Sequence, residues 1–326
     1  MCDHDGGHSV NINVDAIKRD FVFVGGQVLR SSTYVFVAHH GPSLDEDTYR
    51  AHVLRWEAGA WQDSAEFNWQ AVGLTISQEE PLRVFVLGRD GQVGILEGKT
   101  RREQHIDPKR PLGPMRGIDR IDSVVYAYGM KREVYRLRNA GNWERYSEGM
   151  QLALPPGKVD VSALIKKGIK EMGGINSIAA TPDHVLFAFG MRGEIWWLDK
   201  DVWRKMDSPT NLMLTDSVAG EDGEITVCGQ SGVILQGHGD AWQTIQYTGP
   251  EDLDFCAISI LNGQIYLADG HSLRTLHANL LQVVDFGVGS IVPSSSLHSL
   301  HGFLLSVAGK EVFVTENGER WTSLLQ

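Results

Sequence analysis

Cysteine is scarce: Cys2, Cys228 and Cys256 are the three thiols of a 326-residue chain, widely spaced and never in a C-x-x-C pair. A disulfide framework and a thiolate zinc site are thereby excluded. Cys228 and Cys256 stand in apolar runs and are expected to be small buried residues. Long apolar runs are missing as well. Stretches such as Phe21 to Val24 and Val185 to Phe189 fall far short of the roughly 20 residues of a membrane helix, so no membrane partner is expected. Positive charge is in the minority, 30 Lys and Arg against 41 Asp and Glu for a net of −11. Indiscriminate binding to nucleic acid is therefore not expected. Met1 to Val14 carries acids and histidines where a signal peptide needs a basic and then an apolar segment, and a cytoplasmic protein is expected. No phosphate-binding loop, dinucleotide-binding glycine pattern or nucleophile elbow occurs, and no cofactor is expected.

Glycine, by contrast, is abundant and periodic. Val84 to Leu96, Val125 to Leu137, Leu186 to Leu198 and Thr226 to Leu235 each read as a β-rich run, a glycine-bearing turn and a second β-rich run. Each is a hairpin, with glycine expected to supply the positive φ of the turn. The turn glycines fall at 88, 129, 190, 229, 270 and 309, at intervals of 41, 61, 39, 41 and 39. A propeller blade repeats every 40–45 residues or so. The long interval accommodates an insertion at about 149–174. A tryptophan follows the second strand of five repeats: Trp61, Trp143, Trp203, Trp242 and Trp321. These are expected to anchor neighbouring blades, with Trp143, Trp203 and Trp242 buried between them. Adding an inner strand to each hairpin gives four strands per unit and seven units. The fold expected is all-β, a seven-bladed β-propeller over residues 27–326, with six or eight blades as the alternatives. Residues 1–26 are expected to form a tail in which Asn11 to Val24 adds a ring-closing strand to the last blade or caps the ring.

The pattern of apolar run, Gly-x-x-Gly, apolar run and Gly-x-x-Trp resembles the propellers of photosystem II stability/assembly factors. Over Thr315 to Trp321 it also resembles the Asp-box repeat of bacterial neuraminidases, with Arg320 where that repeat has threonine. The resemblance covers about residues 70–326 and implies the fold. Its Asp-box side implies an alternative function, a sialidase-like or glycan-binding propeller.

Inside the insertion, Val161 to Met172 has apolar residues at helical spacing and predicts one short helix, with Gly173-Gly174 as its stop. Catalytic signals are weak. Arg89, Arg116, Arg132 and Arg192 could supply the arginines of a sialidase-like mouth, yet no local motif fixes the Tyr/Glu nucleophile pair. The Cys2-Asp3-His4-Asp5…His8 tail invites adventitious metal only, and no metal site is expected. His298 and His301 frame an inner strand and read as structural histidines that could face the channel.

In a propeller blade the turn between the second and third strands shares a face with the connection into the next blade. That face should collect Arg89, Lys109, Arg110, Arg116, Lys131, Arg132, Arg192 and Lys310, a basic sector on an acidic protein, with acidic Glu251, Asp252 and Asp254 across from it. The function expected is a non-catalytic protein-binding propeller of the immunity or chaperone type. It would bind and neutralise a protein partner through an acidic surface of that partner.

Overall fold

Short runs of β-branched and aromatic residues, broken every five to eight residues by tight turns, fold back on themselves because each turn can close only an antiparallel pair. A computed structural model describes residues 10–41, 49–138, 141–150 and 173–326. It contains seven antiparallel sheets in chain order, six of four strands and one of five, which is the seven-bladed propeller. The inner strands are Phe21–Arg30, Ala71–Ile76, Met115–Ile121, Ile175–Ala180, Leu214–Ala219, Ala257–Leu261 and Ser296–Leu300. Each lies beside the inner strands of its two neighbours, and Phe21–Arg30 touches both Ala71–Ile76 and Ser296–Leu300, so the ring is closed.

The core lies between blades. Seven clusters of buried apolar side chains fill the seven blade-to-blade interfaces. At closure, Phe21, Phe23, Phe36 and Trp61 of the first blade pack against Leu305, Val307, Val314, Leu324 and Leu325 of the last. Polar ties add to this near the axis, where inner strands do not pair with one another. Thr75 Oγ1 accepts the Arg120 N–H at 3.1 Å, Asp216 Oδ2 accepts the Ile258 N–H at 2.9 Å, and His298 Nδ1 accepts the Val28 N–H at 3.1 Å. In each case a side chain of one inner strand satisfies a backbone donor of the next, which would otherwise be orphaned.

Three expectations are corrected. The N-terminal segment adds no strand to the last blade. Val10–Ile12 pairs along Ala60–Phe67 as a fifth, outer strand of the first blade, Val14–Asp20 is a helix capped by Asn13, and Phe21–Arg30 is that blade's inner strand. The propeller thus starts well before residue 27, and meets the last blade through side-chain packing and one bridge, Phe23 to Gly309. Second, the glycines that mark the period at 129, 190 and 229 are not there for positive φ. A Cβ on Gly129 would stand 2.6 Å from Pro114 O, on Gly190 1.9 Å from Gly174 O and on Gly229 2.2 Å from Met213 O. Their role is close backbone approach beside a bulge at the start of the inner strand. Positive φ falls two or three residues later, at Lys131 and Arg132, Arg192 and Gly193, and Ser231 and Gly232. Third, Cys256 is exposed, just before the inner strand Ala257–Leu261, while Cys228 is buried. The helix expected over Val161 to Met172 lies outside the described residues, as does Cys2 to His8. Among the described residues Val14–Asp20 is the one α-helix, and no helix is long and apolar enough to cross a membrane.

All five repeat tryptophans face the preceding blade, but to different depths. Trp61 and Trp203 are each 2% exposed, whereas Trp143, Trp242 and Trp321 are half-buried. What differs is the cover. Residues 146–150 run across Trp203, whose backbone N–H donates to Glu148 O and whose indole donates to Tyr146 O at 2.7 Å. Trp61 pairs with Ile12 of the extra strand and donates to Leu324 O at 2.9 Å. Among the described residues the indole of Trp242 bonds only the Gly239 carbonyl of its own turn, with Phe187 and Phe189 of the previous blade meeting its ring edge-on.

Candidate functional site: the basic sector

The turns between second and third strands and the inter-blade connections are knitted into one face by backbone hydrogen bonds. Arg89 N donates to Gln70 O, Met115 N to Arg89 O, Lys131 N to Gly173 O and Met191 N to Gly174 O. These bonds bring the turns and connections of blades two to four side by side on that face. The eight cations placed in it do not act alike, however.

Arg132 is a structural residue. Its side chain is 9% exposed, Nε donates to Glu194 Oε2 at 2.7 Å, a second guanidinium nitrogen bonds Glu194 Oε1, and the Trp196 indole donates to the same carboxylate. This bidentate pair joins blade three to blade four in a position closed to a partner. Arg110 is likewise committed. It donates to both oxygens of Glu133 and to the Tyr135 hydroxyl at 3.0 Å. Burial opposes the Arg110 charge, yet Glu133 and Tyr135 hold its pKa above the usual value, and burial together with Glu133 pushes Tyr135 up to about 12. Lys310 spans the closure, its Nζ donating to Lys18 O at 2.7 Å and Arg19 O at 3.1 Å. Those are terminal carbonyls of the N-terminal helix, where a cation is favoured.

Five cations remain exposed on blades two to four: Arg89, Lys109, Arg116, Lys131 and Arg192. None has a carboxylate partner among the described residues. Arg89 reaches only the Gln70 amide at 3.3 Å and Arg116 only the Met130 sulfur at 3.8 Å. Lys131 and Arg192 sit at φ of 61° and 60°, in turns whose backbone is bonded to neighbouring connections, so their side chains project from fixed positions. Glu251, Asp252 and Asp254 are exposed in the connection from blade five to blade six.

Sequence reasoning missed the acids that neutralise Arg110 and Arg132. The signal was present in the repeat, since Glu133 and Glu194 occupy the same offset four residues after Gly129 and Gly190. Tyr128 is 4% exposed with its hydroxyl bonded to Asp119, an enclosed position. Arg132, held by Glu194, is withdrawn from the arginines that a sialidase-like mouth could draw on. In Thr315 to Trp321, Asn317 Oδ1 accepts the N–H groups of Glu319 and Arg320, a self-contained turn. Among the described residues no three metal-ligating side chains converge.

No family model matches the chain. The immune protein Tsi7 of Pseudomonas aeruginosa is 30% identical over 306 residues, spanning 91% of this chain and 95% of that protein. The chain belongs to the Tsi7 immune protein family. The match to Tsi7 runs along nearly the whole chain rather than one part of it. Solved structures agree on the fold. Virginiamycin B lyase from Staphylococcus aureus superposes with a TM-score of 0.64 at 11% identity, covering 94% of this chain and 97% of that one. YCF48 bound to a peptide gives 0.63 at 13% identity, covering 94% of each chain. The likeness to photosystem assembly-factor propellers is thus a likeness of fold.

Proposed function

We propose that this protein is an immunity protein, a non-catalytic propeller that binds a protein toxin in the cytoplasm and neutralises it by occupying its surface. The near-full-length match to an immune protein carries this reading. The geometry supports a docking site in the five exposed cations of blades two to four, for which no carboxylate among the described residues is a partner. An acidic surface of the toxin would pair with them, and such charges mainly set on-rate and specificity.

The test is a triple reversal, Arg89→Glu with Lys131→Glu and Arg192→Glu, in the full chain against the toxin that the wild-type chain captures in a pull-down. Surface reversals away from ion pairs leave folding nearly intact. Association at low salt should slow by about ten-fold or more, and added salt should shrink the difference. An unchanged on-rate would place the toxin elsewhere on the ring and remove the basic sector from the account.

A further inference from the structure

On the opposite face, where first-to-second and third-to-fourth strand turns lie, the axial tunnel opens into a cavity of about 440 Å³. Four blades line it, through the inner strands of blades one, two, three and seven. Its volume lies in the range of small-molecule sites, and its wall presents donors that the fold leaves unused.

Arg120 is the first. Its Nε donates to Ile76 O at 3.1 Å and Nη1 to Asp122 O, both neutral carbonyls, while Nη2 has no partner among the described residues. The Asp122 carboxylate makes its hydrogen bond to His184 Nδ1 at 2.7 Å rather than to Arg120. Burial pulls the Arg120 pKa below the usual value, and the nearby Asp122 charge offsets this only in part. A guanidinium held this way is costly unless an anion completes it.

His298 is the second. Because Nδ1 accepts the Val28 N–H, the neutral ring carries its proton on Nε2, and that donor has no partner among the described residues. Burial, helped by the Arg120 charge, pushes His298 down to about 4, so the ring is neutral near pH 7. The Gln27 amide and His301 complete the donor side of the lining. Two acids share the wall. Asp119 is bonded by the Tyr128 hydroxyl and pushed by burial above the normal carboxylate range, and Glu80 is exposed at the rim.

We propose that this tunnel mouth binds a small oxyanion-bearing molecule, a compact carboxylate or phosphate, gripped between the free edge of the Arg120 guanidinium and the His298 Nε2–H. The fork of an arginine suits a planar or tetrahedral oxyanion, and a neutral imidazole N–H adds a donor without a second buried charge. The site is on the face away from the basic sector, so it is independent of toxin docking.

Calorimetric titration of the full-length protein alone, with malonate, inorganic phosphate and the neutral control malonamide, tests it. Saturable binding of malonate or phosphate is expected, and whichever binds identifies the anion class. Arg120→Gln should weaken it at least about ten-fold, the loss expected for one charge-assisted hydrogen bond. Gln27→Glu, which leaves the Arg120 contacts in place, should do the same by repulsion, and it decides the matter if Arg120→Gln fails to fold. No saturable binding of either anion, equal binding of malonamide, or an affinity unmoved by Gln27→Glu would overturn the proposal. No toxin enters the experiment, so its result leaves the immunity reading untouched.

Discussion

Replacing Trp203 tests whether blade-to-blade packing holds the ring. The indole is 2% exposed, stands among Tyr126, Tyr128, Tyr146, Ile178 and Trp196, and its N–H satisfies the Tyr146 carbonyl at 2.7 Å. Trp203→Ala removes a fully buried aromatic ring, a change that typically costs roughly 3–5 kcal/mol. It also strips a buried carbonyl of its donor, about 1–3 kcal/mol if water cannot reach it. Trp203→Phe retains much of the packing and isolates the second effect, so it should lose only about 1–3 kcal/mol. Trp242→Ala is the internal control. That ring is half-buried, makes edge contacts to Phe187 and Phe189 at 5.7 and 5.3 Å, and bonds only its own turn, so roughly 1–3 kcal/mol is expected. Urea midpoints followed by far-UV circular dichroism, which does not depend on the tryptophan removed, give the three values. Equal losses for Trp203→Ala and Trp242→Ala, or a neutral Trp203→Phe, would refute the link drawn here between cover and stability.

Further predictions concern buried charge. Arg132→Met leaves the 4%-exposed Glu194 carboxylate without its guanidinium and should cost about 3–5 kcal/mol in denaturant unfolding, with Arg132→Met/Glu194→Gln regaining part of it. Burial pushes the Asp216 carboxyl up to about 7 from an ordinary 3.8, despite the donors Ile258 N–H, Ser217 N–H and Ser177 Oγ. The folded state therefore holds this proton longer than the unfolded chain. Its contribution is fully present below about pH 4 and is lost as pH rises toward 7. Between pH 5 and 8 Asp216→Asn should gain on wild type by at most roughly 2–3 kcal/mol in urea titrations, and a constant difference would contradict the assignment. Lys310→Ala uncaps the N-terminal helix at the closure and should lower stability by about 0.5–1 kcal/mol, read from the same midpoints.

The blade count was legible because the repeat leaves a mark, a glycine about every forty residues outside one insertion and a tryptophan after the third strand of five blades. The reason for the glycine was not legible. Close approach of two backbones and positive φ both select glycine, and only the position of Pro114 O, Gly174 O and Met213 O separates them. The face of the ring that gathers Arg89, Lys131 and Arg192 could be read from topology. Which cations are free could not, because Glu133 and Glu194 approach from a neighbouring strand or blade and pairing is a property of three-dimensional distance. The N-terminal strand was misplaced for a similar reason. Val10–Ile12 is short with one polar residue of three, and nothing in it selects the edge of the first blade over that of the last.

The central claim, neutralisation by stoichiometric binding, is tested most directly by titrating this protein into a fixed amount of its toxin and following the remaining toxic activity. A linear fall that reaches completion at one equivalent, with a stable complex of the two chains at the endpoint, is the result the account predicts. Complete loss of activity at a small fraction of an equivalent would show turnover, and the protein would be an enzyme rather than a binder.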